Sequence, residues 1–315
     1  MGRYIIQRIV TLFITLFITS IIIFGLTQLL PGDVGRLVLG RDASPDAISQ
    51  FNERFGLDRP IAVQYTTWLG GFLVGDWGTS FTGGNAPVRP LVTERLTNSL
   101  RLAGLTLLFT VPLAILLGGI AALTEGSAID NAISVLSLSV IGLPEFVTGL
   151  LLINIFALNL EWFNVAEPIR SDMSLVDWLR ILTLPAVTAS FVLLGYVTRM
   201  ARAGVIDELK KPYVRTATLK GLPRRTIITK HVLRNALLPT ITVIAISIGW
   251  LMGGIVVIEE VFNYPGIGSE LVSAVEQKNI PVLQAITVII VFVFALANLA
   301  ADLLYAILNP RIRWG

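Results

Sequence analysis

Between Arg199 and Pro239 the chain concentrates ten of its 24 lysines and arginines and its only histidine, against two acids, Asp207 and Glu208. A second isolated charge, Glu145, follows Pro144 inside the apolar run from Asn131 to Leu160. Catalysis would need partners that neither stretch supplies. The chain has no HExxH, no GxSxG, no phosphate-cradling glycine loop followed by Lys-Ser or Lys-Thr, and no cluster of metal-ligating side chains. Without cysteine there are no disulfides or thiolate metal sites, and one histidine makes no zinc site. The chemistry left is non-covalent. The basic segment can dock on a partner or anchor topology. The Glu145 carboxylate either meets a partner helix or a water-filled cavity, or reaches an interface past a kink at Pro144. The expectation is a non-catalytic chain that binds no cofactor and no metal.

The basic segment is punctuated as two helices around a glycine. Pro212 suits a first helical turn, where no amide partner is lost, so a short helix is expected from Pro212 to Lys220. Gly221 stands where a C-terminal cap needs a left-handed residue. Pro223 can open a second helix, on which Ile227, Ile228, Val232 and Leu233 share one face while Arg224, Arg225, Lys230 and Arg234 occupy the rest. Nucleic-acid binding is disfavoured, because a basic patch beside two membrane spans is expected on topological grounds alone.

The elements that must position these residues are membrane helices. The chain is 54% hydrophobic and 14% charged, with a mean hydropathy of +0.76, against about 25% charge in soluble domains. An integral, all-α protein with six spans is expected. The first, Ile9 to Leu30, is too long for a signal peptide core. The second is Leu102 to Leu123, the third lies within Asn131 to Leu160, and the fourth is Ile181 to Thr198. The fifth is Ala236 to Ile258, with Gly249, Gly253 and Gly254 allowing close backbone approach, and the sixth lies within Pro281 to Leu308. The polar segment 31–98 should hold a helix from Ser44-Pro45 to Gly56 and another from Pro60 to Val74. Ile61, Tyr65, Trp68, Leu69 and Phe72 recur on one face of the latter, and packing is favoured over an interfacial role. Turns are expected at Gly75 to Gly78, at Gly83-Gly84, and through Glu259 to Gly268.

Charge sets the orientation. With cytoplasmic termini, the inner segments hold 14 lysines and arginines against four acids and the outer ones 10 against 15, as the positive-inside rule requires. Three regions follow: 1–30, a tail and first span; 31–98, an extracytoplasmic segment; and 99–315, the remaining spans with the cytoplasmic region 199–235.

Several motifs resemble, in order, those of the first permease subunit of the dipeptide, oligopeptide and nickel group of ABC importers. They begin with Leu30-Pro31-Gly32-Asp33, Phe55-Gly56-Leu57-Asp58-Arg59-Pro60 and Gly75-Asp76-Trp77-Gly78. Tyr213-Val214-Arg215-Thr216-Ala217 follows with Lys220-Gly221, then His231 to Pro239. Val261-Phe262, Pro265-Gly266-Ile267-Gly268, Asp302 to Ala306 and Asn309-Pro310-Arg311 complete the set. The chain departs from the broader importer pattern, which has Glu-Ala-Ala where Arg215, Thr216 and Ala217 stand, and Ile-x-Leu-Pro where His231 to Arg234 stand.

The resemblance implies a type I ABC importer permease of the inner membrane with these partners: a second related permease, two ATPase subunits that carry ATP and Mg2+, an extracytoplasmic substrate-binding protein, and lipid. It further implies di- or oligopeptides as cargo, with nickel chelates or sugars as alternatives. Tyr213, Val214, Arg215, Thr216, Ala217, Lys220 and Gly221 become the ATPase-coupling element. Pro144 and Glu145 are expected on the path, and Asn263, Tyr264, Pro265 and Gly266 at an outer gate. A secondary transporter or channel is the competing class, but it would show inverted repeats or more intramembrane charge.

Overall fold

A computed structural model describes residues 2–29, 33–40, 42–82, 84–165 and 173–308. Leu30, Pro31, Gly32, Gly83 and residues 309–311, which carry parts of the expected motifs and turns, lie outside them. Among the described residues regular structure is helical, apart from a single bridge between Thr79 and Pro87. The helices are α1 (Gly2–Gln28), α2 (Val34–Leu39), α3 (Pro45–Phe55), α4 (Ile61–Val74), α5 (Val88–Leu123), α6 (Ala128–Gly142), α7 (Glu145–Leu152), α8 (Leu175–Leu209), α9 (Pro212–Leu219), α10 (Arg224–Thr226), α11 (Leu233–Val261), α12 (Ile267–Glu276) and α13 (Ile280–Leu308). π-Helical turns continue α7 through Ile153–Asn159 and join α10 to α11 through Ile227–Val232. Among the described residues four helices are long and apolar enough to cross a membrane, and the pair 128–142 with 145–159, bent by 102° at its break, is a fifth candidate.

The chain forms two compact units, one from Leu100–Tyr264 with the chain from Leu296 on, the other from Gly2–Ser99 with Pro265–Ala295. In the second, the boundaries expected for α3 and α4 hold. The Ser44 hydroxyl accepts from the Ala47 amide to cap α3, and Gly56, left-handed at φ 66°, ends it. The α4 stripe packs. Phe24 of α1 lies 5.4 Å from Tyr65 and 5.7 Å from Trp68, ring centre to ring centre, while Ile61 stays exposed. A second core joins Val88 and Val92 of α5 to Ile267, Ala274, Val282 and Ile286.

In the first unit α8 is the spine, packed against α6, α7 and α11. Close approach occurs at Gly118 and Gly195. A Cβ on Gly118 would lie 2.6 Å from the Thr198 carbonyl and 2.7 Å from the Ala201 Cβ, and one on Gly195 would lie 2.5 Å from the Ser137 carbonyl. Gly253 instead faces open space and Gly254 makes ordinary contact with Glu145. The face on which a glycine lies, not its presence, decides its use.

Adjacent positions give a matched test. Gly118→Val drives a side chain into the backbone of α8, whereas Gly119→Val, with the same change in helical propensity, meets nothing within 4 Å. Overpacking of this kind costs about 1–3 kcal/mol, so the purified protein should unfold several degrees lower for Gly118→Val alone. Equal thermal midpoints would show that α5 does not seat on α8 at this notch.

Other boundaries move. α5 starts before the apolar window because Arg89, Glu94 and Arg95 are carried on a helix. α8 extends past Ile181 and Thr198 at both ends. The third span is divided at Leu143-Pro144, and Glu259-Glu260 belong to α11 and not to a loop.

Candidate coupling and translocation sites

The basic segment folds as a short helix hung between the ends of two long ones. Lys211 is extended, Pro212 takes the first position of α9, and the helix closes at Gly221 with φ 77°. The Leu222 amide donates to the Ala217 carbonyl (3.3 Å) and the Gly221 amide to that of Thr218 (3.0 Å). This is the six-to-one and five-to-two pairing of a Schellman cap with glycine at its left-handed position.

α9 has two faces. Tyr213, Val214 and Ala217 are half-buried, and the last two pack on a core of Ala122, Val205, Ile206, Ile227, Val232 and Ala236. Arg215, Thr216, Lys220 and Gly221 are exposed, and so is Leu219, at 80%. The seven expected coupling residues therefore separate into three that seat the helix and four that it presents. Leu219 was missed, although its helical offset from Thr216 and Arg215 places it on the same face.

Glu208, at the end of α8, secures this arrangement. It is 5% exposed, pairs with the Lys211 ammonium, and accepts from the Tyr213 hydroxyl at 2.9 Å. Asn235, at the start of α11, bonds to it as well. Burial pushes its carboxyl up, but the Lys211, Tyr213 and Asn235 contacts outweigh this and leave it below the ordinary value. One carboxylate thus joins α8, α9 and α11.

A second carboxylate ties α6 to α8. Asp130, 2% exposed, receives the Arg202 guanidinium in a fork, Nε to Oδ1 at 2.5 Å and Nη2 to Oδ2 at 2.7 Å. The Gly126 amide donates to Oδ2 at 2.9 Å. Arg202 first, and then this amide, hold the Asp130 carboxyl well below the usual carboxylate range. The sequence gives no sign of this pair, since the partners stand 72 positions apart.

Pro144 caps α7 in extended backbone and Glu145 opens that helix. Glu145 borders a cavity of about 550 Å³ with Pro144, Val192, Tyr196, Val243 and Ser247. Asn263 and Tyr264 do not line it. Asn263 is left-handed at φ 48°, and Tyr264 is 2% exposed, its amide donating to the Glu259 carbonyl at 2.7 Å. In the other unit the Pro265 carbonyl accepts from Asn98 at 2.9 Å, and Gly266 caps α12. No cluster of three metal-ligating groups occurs among the described residues.

Residues 114–314 match the family described as binding-protein-dependent transport system inner membrane component, and residues 1–99 match the N-terminal region of such membrane components. A probable peptide ABC transporter permease protein, y4tP, of Sinorhizobium fredii is 35% identical over 315 residues, with all of both chains covered. The oligopeptide transport system permease protein AppB of Bacillus subtilis is 36% identical, and the glutathione transport system permease protein GsiC of Escherichia coli 34%, again over both whole chains. With both regions matched end to end on a scaffold of apolar helices, the chain belongs to the family of binding-protein-dependent transport system inner membrane components, multi-pass proteins of the inner membrane.

Proposed function

We propose that this chain is one of two homologous permeases enclosing the path of an ATP-driven peptide importer. In this reading α1, α5, the broken pair α6 and α7, α8, α11 and α13 are six spans with both termini cytoplasmic. Residues 31–98 form a scoop beneath a substrate-binding protein, residues 99–315 form the permease core, and two ATPases that carry ATP and Mg2+ dock on the 199–235 region. The chain itself is non-catalytic and binds no cofactor.

The division of α9 carries the coupling role. One face is packed into the chain's own core, and the other leaves Leu219 and three polar or charged side chains exposed, the form of a knob that fits a groove on another subunit. Peptides as cargo are supported by the peptide, oligopeptide and glutathione systems named for relatives of full length.

In this cysteine-free chain, Thr218→Cys should react with an impermeant maleimide only from the cytoplasm and Asn85→Cys only from outside; the reverse pattern rejects the topology. In proteoliposomes, peptide uptake should require both the ATPases and ATP. Uptake without them would place the chain among secondary transporters or channels.

A further inference from the structure

Glu145 and Arg199 of the first unit each lack a counter-charge among the described residues. Among the described residues, Glu145 makes no ion pair and no side-chain hydrogen bond, and Arg199 makes no ion pair, whereas the neighbouring Arg202 is taken by Asp130. Glu145 opens a helix inside the membrane-spanning pair, where an uncompensated carboxylate is costly.

Both face cavities that share a wall. Glu145 borders the cavity of about 550 Å³, with Val192 and Tyr196 of α8 opposite. A second cavity, of about 570 Å³, is bordered by the same Tyr196 together with Arg199, Met200 and Ser134. Tyr196 is 51% exposed between them. Along α8 the step from Val192 to Arg199 is about 10 Å. An extended peptide spans at most about 3.5 Å per residue, so about three residues cover the step from Val192, which borders the first cavity with Glu145, to Arg199. The first cavity is otherwise walled by apolar side chains and Ser247, which tolerate varied side chains and fix only the ends.

Resting on the peptide-importer reading, we infer that the cavities meeting at Tyr196 hold a zwitterionic peptide about three residues long, its N-terminal ammonium at Glu145 and its C-terminal carboxylate at Arg199. In the proposed topology Arg199 is the more cytoplasmic of the two, and the peptide enters carboxylate first. Glu145 and Arg199 then select for free termini after the binding protein has released its cargo.

The test uses the complete importer in proteoliposomes with trialanine, N-acetyl-trialanine and trialanine amide, each at a concentration that saturates the binding protein. Charged hydrogen bonds of this kind are worth about tenfold or more. Glu145→Gln should therefore shrink the preference for trialanine over its N-acetyl form about tenfold and leave the preference over the amide. Arg199→Gln should do the opposite. As a second measurement, Ser247→Cys in the purified complex should be shielded from maleimide by trialanine, and the shielding should vanish with Glu145→Gln. Unchanged preferences in both variants, or equal loss of all three peptides, would overturn the inference while leaving the importer reading in place. Failure of the unaltered complex to move any of the peptides would reject the importer reading for peptides, and this inference with it.

Discussion

Gly221→Val should yield a membrane-inserted permease that still pairs with its partner, takes up substrate at close to background, and loses the ATPase stimulation normally given by loaded binding protein. Gly221 sits at φ 77° in the Schellman cap of α9. A Cβ added there meets nothing within 4 Å, so the cost is one of backbone conformation alone, about 1–2 kcal/mol for a residue with a side chain. The chain can relieve it cheaply by abandoning the cap, because Gly221 and its neighbours Lys220 and Leu222 are exposed and the core beneath Val214 and Ala217 does not depend on them. The consequence falls on the presented face, where Arg215, Thr216, Leu219 and Lys220 lose their fixed positions. Gly221→Asn, which tolerates left-handed backbone, should keep most of the uptake and separates conformation from side-chain bulk. Uptake, co-purification with the ATPases and stimulated hydrolysis, measured on one preparation of each variant, decide the matter. Normal stimulation in Gly221→Val would reduce this segment to a positively charged topology anchor.

The cap at Gly221 was legible because its cause is local: a proline that opens, a helix of eight residues, a glycine that closes. The same holds for Ser44 and Gly56 around α3. Hydropathy placed the apolar centres of the spans for a similar reason, since it sums over one helix at a time. It failed where a helix leaves the apolar zone. Val88 to Arg101 reads as polar loop because Arg89, Glu94 and Arg95 interrupt it, yet it is the first part of α5. α12 was hidden behind the turn signals of Pro265 and Gly266, the second of which here caps a ten-residue helix. What sequence could not reach was pairing across distance. Gly118 matters for its approach to Thr198, Glu208 for its junction with Tyr213 and Asn235, and Asp130 for its hold on Arg202. Each depends on which helix faces which, and a composition window carries no term for that.

The Asp130 and Arg202 pair should show the largest effect on stability, with strong coupling between the two positions. Arg202→Met leaves the Asp130 carboxylate 2% exposed with only the Gly126 amide and the Ser134 hydroxyl for partners, and a buried charge stripped of its counter-ion is strongly destabilising. Asp130→Asn is milder, because Arg202 is about a third exposed and can turn to water. Replacing both, Asp130→Leu with Arg202→Met, removes the charges together, and buried pairs exchanged for apolar side chains are often neutral. The double variant should therefore unfold closer to the unaltered protein than Arg202→Met does, a coupling that a double-mutant cycle of Asp130→Leu, Arg202→Met and the two together measures directly in detergent. Additive losses would show that the two side chains act independently and that the fork does not join α6 to α8. The pH dependence follows from the sign of the shift. The Asp130 carboxyl is held below its ordinary range, so its contribution is complete above the unfolded-state value near 4 and is lost as pH falls from there toward the folded-state value. The stability gap between the unaltered protein and Asp130→Asn should accordingly be flat from about pH 8 to about pH 5 and narrow below about pH 4. A gap that closes near neutral pH would mean that a different group, not this carboxylate, holds the start of α6 against α8.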